Sequence, residues 1–337
     1  MSASEAGVVN LSAAGLDGIQ PLLEASAFKP LRYLARELGS SLDNYWFHSI
    51  KELLQTEGVH GFHAARNGEL MGVIIYSDSP WETTIIGKKT GAINHFVLAP
   101  SVRRNGKVAL QMLDQTLEEA LSRGIQFLSA KAYTDDVAVI HALESRGFLL
   151  MDTVVECYYD SRRAPPADVA RIARSAGVVV RAAMPEDRAA LVSTARLAFR
   201  EHFGRFHADE RVDGNTATRI YEEWINSSMD GYADFIDVAD ISGEIAGFSI
   251  WKRPSRLENE LEVRVGHYSI SGIRPDYHGR GLFTALTRSG MEQMEGIAEI
   301  IEGPTHINNY GVQAGYSKLN WRVGGDARHS FHKWLDQ

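Results

Sequence analysis

The sequence predicts a mixed α/β protein in which one sheet-and-helix unit occurs twice. Three observations predict it. Strand-like and helix-like patterns alternate along all 337 residues. A hairpin pattern with a Gly-Glu turn appears as Gly68, Glu69 and Gly72 and again as Gly243, Glu244 and Gly247. A strand, a proline, a glycine turn and a helix follow each hairpin, with Pro100, Arg103 and Gly106 in one and Pro275, His278 and Gly281 in the other. Each pair is 175 residues apart, so hairpin and turn share one register. An internal duplication is the economical reading.

Taken in order, the first copy opens with a strand at Val8–Leu11 and a helix starting near Asp17. The hairpin spans Phe62–Tyr76. After Gly106 a helix places Leu110, Leu113, Leu117, Ala120 and Leu121 on one face. A strand at Phe127–Ala132, Asp136, a short helix and Gly147–Phe148 lead into a last strand. The stretch 161–177 carries two prolines and no strand pattern, which suits a linker between domains at 1–160 and 178–337. The second copy repeats the order: a strand at Val178–Arg181, then Pro185, Glu186 and Asp187 before a helix, then a hairpin at Ile236–Trp251. A strand at Tyr268–Ile273 stops at Pro275, and a turn with Gly279 and Gly281 opens a helix whose Leu282, Ala285, Leu286 and Met294 recur at helical spacing. A strand at Ile297–Glu302, Asn309, a helix and Asn320–Trp321 complete it.

Composition narrows the partners. The chain is 44% hydrophobic and 23% charged, with a net charge of −8, so a nucleic acid or an anionic membrane surface is a disfavoured partner. A single cysteine, Cys157, excludes a disulfide framework and a cysteine-based metal site, and no ligand cluster for a metal is visible. No signal-type or membrane-length apolar run occurs, which predicts a cytoplasmic protein.

The turn at 278–283 carries the chemistry. Two glycines flanking Arg280 let backbone N–H groups approach an anion, and the following helix N-terminus adds a favourable partial charge. The stretch resembles the signature of the GNAT acyltransferases, V-x-P-x-x-[RQ]-x-x-G-x-[GA]. Ile273, Pro275, His278 and Gly281 stand in register. His278 replaces the family's Arg/Gln, and Phe283 its last small residue. The resemblance covers most of both halves. It implies two tandem GNAT-like domains, each a splayed mixed β-sheet flanked by helices. It also implies acetyl-CoA as co-substrate, with its pyrophosphate at Ile273, His278, Gly279, Arg280, Gly281, Leu282 and Phe283, and with Asn309 beside it.

In the family a segment like N-x-x-A-x-x-x-Y-x-x-x-G-F follows the fifth strand. The second copy has Asn309 and Tyr316 at its motif positions, whereas the first has Asp136 and Leu143. A tyrosine of pKa about 10 can protonate a thiolate leaving group of pKa about 8.5; leucine cannot. Tyr316 is therefore the expected general acid, against the plainer reading of a helix tyrosine packed on the sheet. The C-terminal copy is expected to be catalytic and the N-terminal one degenerate.

The family also implies a base on the strand before Pro275, where His267 is the candidate if no bulge intervenes; a buried structural histidine is the alternative. An oxyanion contact from a backbone N–H of that strand is expected as well. The region 199–224 is rich in aromatic and basic groups. Phe203, Arg205, Tyr221 and Trp224 are the expected acceptor contacts, able to stack on a base or pair with a phosphate. The alternative there is a plain helical core.

The tracts Ser79–Gly87 and Phe331–Leu335 look similar to segments of the dTDP-fucosamine N-acetyltransferase type, which implies an amino-sugar acceptor linked to a nucleotide. Two other readings stay open: a mycothiol-synthase-like tandem enzyme, and a non-catalytic acyl-CoA-binding sensor. Sequence leaves the oligomeric state open.

Overall fold

A computed structural model describes residues 7–11, 16, 18–104, 106–165 and 177–335. The chain divides into two compact units, residues 1–153 with 326–337 and residues 154–325.

In the first unit β1 (Gly7–Asn10), β2 (Val59–Arg66), β3 (Glu69–Asp78) and β4 (Thr90–Leu98) are antiparallel neighbours, and β5 (Phe127–Tyr133) joins β4 in parallel. Helices α1 (Gln20–Ala25), α2 (Ser40–Leu54), α3 (Pro80–Ile86), α4 (Lys107–Ser122) and α5 (Val137–Ser145) connect them. The expected helix start at Asp17 lies outside the described residues. On α4 the buried face is Val108, Ala109, Met112, Leu113, Thr116 and Ala120. Leu121, expected on that face, is 51% exposed. The core stripe is centred one residue away from the leucine repeat, which leaves Leu121 just beyond its edge.

The second unit contains β7 (Val179–Ala182), α6 (Arg188–Phe199), α7 (Gly214–Ser227), β8 (Phe235–Ile241), β9 (Glu244–Lys252) and β10 (Val265–Ile273). It continues through α8 (Leu282–Gln293), β11 (Ile300–His306) and α9 (Tyr310–Lys318). Strands β7 to β10 are antiparallel neighbours, and β11 is parallel to β10.

Local irregularities repeat with the register. Asn67–Gly68 and Ser242–Gly243 turn both hairpins at positive φ. The β3–β4 pairing skips Asn94, and the β9–β10 pairing skips Ser269, the residue 175 positions later. Each parallel pair is short: β4 meets β5 over Thr90–Ile93, and β10 meets β11 over Val265–His267. Beyond those residues the strands part, which is the splay the family resemblance implied.

The last strand of each unit comes from the other half of the sequence. The strand β6 (Leu149–Asp160) lends its residues Val154–Asp160 to the second unit, antiparallel to β11. The strand β12 (Arg322–Trp334) lends Arg328–Trp334 to the first unit, antiparallel to β5. Phe331 is buried in the first unit's apolar core. The sequential division into 1–160 and 178–337 therefore differs from the contacts. Strand partners are set by long-range pairing, which a local pattern does not encode. The expected linker lies largely among residues outside the described ones.

Candidate active site

In the second unit, β10 ends at Ile273 and the chain turns through Pro275–Tyr277 before Gly279 and Gly281, both at φ +77°. Any side chain other than glycine is strained there. Gly281 caps α8 without a side-chain bond, and the first hydrogen bond of the helix runs from Ala285 N to Gly281 O. The N–H groups of Leu282, Phe283 and Thr284 precede that bond, so they have no acceptor within the helix. That is the group an anion needs.

Braces hold the turn. Arg274 pairs with Asp276 at 2.8 Å, and the Tyr277 hydroxyl donates to Glu244 at 3.0 Å. Arg280 lies over the Tyr277 ring at 4.8 Å. The His278 Nε2 donates to the Ile273 carbonyl at 3.0 Å, and Arg103 donates to the equivalent Leu98 carbonyl at 3.5 Å. His278 thus keeps the strand-to-turn staple that Arg103 makes in the first unit.

A cleft of about 1650 Å³ opens on this turn. Ile273, His278, Gly279, Arg280, Gly281, Leu282, Phe283 and Asn309 all line it, so the eight residues expected to hold the cofactor share one cavity. Asn309 caps α9, accepting from Val312 N at 3.3 Å through its side-chain oxygen. Cations collect here in an otherwise acidic chain: Arg200, Arg280 and Lys318 line the cleft against Glu201.

In the first unit the position equivalent to His278 holds Arg103. Arg103 is ion-paired with buried Asp136, the cap of α5, and its guanidinium lies over the Phe28 ring at 4.2 Å.

Tyr316 is 4% exposed and boxed by aromatic rings. Trp321 stacks on it at 4.3 Å, while Phe283 at 5.3 Å and Tyr268 at 6.0 Å meet it edge-on. Its hydroxyl lies against Gly303 of β11. Burial, then the neighbouring Tyr268, Cys157 and Glu156, hold the phenol well above its ordinary pKa, so it stays protonated. Phe283 lines the cleft and Tyr316 lies behind it.

His267 does not line this cleft. Its Nε2 is 2.7 Å from Glu258 Oε1, and its Nδ1 is 3.7 Å from Glu302 Oε2. Burial works to lower the His267 pKa, but the bond to Glu258 and the two carboxylate charges outweigh it and raise the value. Burial works to raise the Glu258 pKa, but His267 and Ser255 outweigh it and lower the value. Both directions describe a charged pair. Bonded to Glu258 and outside the cleft, His267 is not the free side chain that the sequence leads one to expect. The skipped Ser269 also breaks the strand alternation on which that expectation rested.

On the acceptor side Phe203 is 46% exposed, lines the cleft and meets the His306 ring at 4.6 Å. The other three expected contacts do not line it. Tyr221 is buried, stacked on Phe199 at 4.0 Å. Arg205 covers Phe206 at 4.1 Å. Trp224 lies on α7. A helix turns its residues away from a cleft at every third or fourth position, which composition does not register. Arg200 and Ser271 line the cleft and were not singled out as contacts, whereas His202, one of the aromatic and basic groups of the acceptor region, lines it too. Their place beside the α6 terminus and the β10 bulge was the available signal.

Comparison with known proteins finds likeness in fold and, over part of the first half, in sequence. Residues 27–148 match the model of the Acetyltransferase (GNAT) family. The spore coat polysaccharide biosynthesis protein SpsD of Bacillus subtilis (strain 168) is 24% identical over 314 residues, 85% of this chain and 96% of that protein. A GCN5-related N-acetyltransferase from Sphaerobacter thermophilus has a TM-score of 0.63 at 14% identity, covering 98% of this chain and 96% of its own. A tandem GNAT protein from the clavulanic acid biosynthesis pathway has a TM-score of 0.56 at 14% identity, covering 99% of both chains. A GCN5-related glucosamine N-acetyltransferase region of a fungal multi-domain GH3 beta-N-acetylglucosaminidase has a TM-score of 0.64 at 12% identity; the match covers 99% of this chain and 38% of that one. Among the described residues no helix is long and apolar enough to cross a membrane.

Proposed function

We propose that this tandem GNAT acetyltransferase works through its C-terminal copy, moving an acetyl group from acetyl-CoA to a primary amine of a small, nucleotide-linked amino sugar. The observation that carries the reading is the single cleft that gathers the whole 278–283 turn and Asn309, where the first copy has an Arg103–Asp136 pair. Cationic side chains around that cleft favour anionic ligands on both sides of the reaction. The sugar class draws support from what two relatives are named for, spore coat polysaccharide and glucosamine N-acetylation.

The turn's N–H groups would hold the pyrophosphate, and the parting of β10 and β11 would admit the thioester. The acceptor amine forms the new C–N bond at the thioester carbonyl, and a β10 N–H beside the Ser269 bulge steadies the oxyanion. As the C–S bond breaks, its electron pair goes to sulfur and Tyr316 gives up its proton there. Solvent returns that proton, and the amine's surplus proton leaves to water. His267 can take part only above its raised pKa.

Calorimetry with acetyl-CoA, followed by thiol release across a panel of amines, tests the whole. Nucleotide-linked amino sugars should give the highest kcat/KM. Stoichiometric binding with no release for any amine would overturn the enzyme reading in favour of a sensor. A second reading, that the N-terminal copy works instead, has the family match at 27–148 and Arg103 in its favour. Leu143 and the Asp136 carboxylate stand against it.

A further inference from the structure

The copies differ at four positions that move together. In the first unit Val108, Ala130, Ala142 and Leu143 are all buried in one apolar core. The matching positions of the second unit hold Phe283, Gly303, Gly315 and Tyr316. Each side chain that has grown by a ring faces one that has shrunk to glycine.

The fit is tight on both sides. A Cβ on Gly303 would overlap the Tyr316 hydroxyl, and it would lie 2.9 Å from the Trp321 ring and 3.1 Å from Tyr316 Cζ. A Cβ on Gly315 would overlap Phe283 Cδ1 and lie 2.6 Å from its Cε1. Real Cβ contacts do not come this close, so an alanine at either place must displace a ring. Phe283 departs from the family's small residue, and Gly315 on the neighbouring helix supplies the space that the departure needs.

The location of the hydroxyl matters as much as the fit. Gly303 follows Glu302, the last β11 residue paired with β10, so the phenol oxygen sits where the two strands part. Among the described residues that oxygen has no hydrogen-bond partner.

We infer that Gly303 and Gly315 are positioning residues for the Tyr316 phenol. Gly303 sets its oxygen at the strand parting, and Gly315 leaves the space that the Phe283 ring occupies beside it. The inference rests on Tyr316 being the acid, and its steric half stands apart from that role.

Two double-mutant cycles test it, Gly303→Ala with Tyr316→Phe and Gly315→Ala with Phe283→Ala, each read by kcat, KM for acetyl-CoA and Tm. Gly303→Ala should lower kcat by about 10²-fold with KM within about twofold, and lower Tm by roughly 3–10 °C. In the Tyr316→Phe background, which lacks the hydroxyl, Gly303→Ala should cost less than about threefold more in kcat and return part of the lost Tm. Gly315→Ala should raise KM by pushing Phe283 into the cleft, and it should be neutral beside Phe283→Ala. Should Gly303→Ala alone fail to fold while the double variant folds, the steric half is upheld.

Equal kcat losses from Gly303→Ala with and without the hydroxyl would overturn the inference, as would full activity in Gly303→Ala beside a crippled Tyr316→Phe. Full activity in Tyr316→Phe with the Tm coupling intact would sink the acid reading alone.

Discussion

The two turns share a backbone plan and differ in their residues: Arg104 and Lys107 of the first stand where Gly279 and Leu282 stand in the second, and Asp136 where Asn309 stands. Both follow a strand that ends in a proline, both are stapled to the strand's last carbonyl, and both open a helix through a left-handed glycine. In the first unit the cap of the next helix is Asp136, which takes Arg103 for itself. In the second it is Asn309, neutral, and the turn faces an open cleft.

The largest expected effect bears on the units themselves. Removing residues 326–337 strips β12 from β5 and takes Phe331 out of the first core. Loss of one buried Phe costs about 3–5 kcal/mol, and the strand's pairing goes with it. The first unit should unfold while residues 154–325 stay protected, as hydrogen exchange would show. Uniform loss of both would mean that the units do not fold apart.

Next comes chemistry. Tyr316→Phe should lower kcat by roughly 10²–10³-fold with acetyl-CoA binding unchanged. Unaltered turnover at every pH would remove the phenol from the mechanism.

The turns can then be set against each other. Gly281→Val should weaken acetyl-CoA binding at least about tenfold by straining the left-handed position, whereas Gly106→Val should destabilise the first unit without touching affinity. The reverse result would move the site to the N-terminal copy. Asp136→Asn sharpens the lesson: it should cost about 1–3 kcal/mol of stability and raise calorimetric stoichiometry toward two through a weak second site. Unchanged stoichiometry would show that more than one charge closes the first turn.

The smallest effect is in pH. The Glu258–His267 pair has no counterpart in the first unit, where Ala92 stands at the equivalent place. Raised His267 contributes stability that is full below about pH 6.5 and lost as pH rises through its folded value. Lowered Glu258 contributes stability present above about pH 4.3 and lost as pH falls through its folded value. Glu258→Gln should therefore lower Tm most between those limits, by about 1–2 kcal/mol equivalent, and little in alkaline buffer. A Tm difference independent of pH would argue against the ion pair.

Much was legible because it is local. Gly68, Gly243 and Gly281 mark turns wherever they stand, and Asp136 and Asn309 announce helix caps by residue type alone. The fold and the 278–283 turn followed from such signals. Gly303 inside a strand and Gly315 inside a helix were readable as close approaches, although what approaches them was not. His267 was misjudged because Glu258 and Glu302 reach it from other segments. Tyr221 and Trp224 had the right chemistry on the wrong side of a helix.

The amino-acid sequence by itself determined the duplication, the order of strands and helices, and the two left-handed glycine turns with the different cap residues that follow them. Each of these depends on neighbours a few residues away, whose geometry covalent structure and hydrogen bonding dictate. Only the tertiary structure decided which strand completes each unit, which turn stays open, and where the Tyr316 hydroxyl rests. Those outcomes depend on packing between residues far apart in the chain, where one methyl group or one carboxylate chooses between arrangements that the local pattern permits alike.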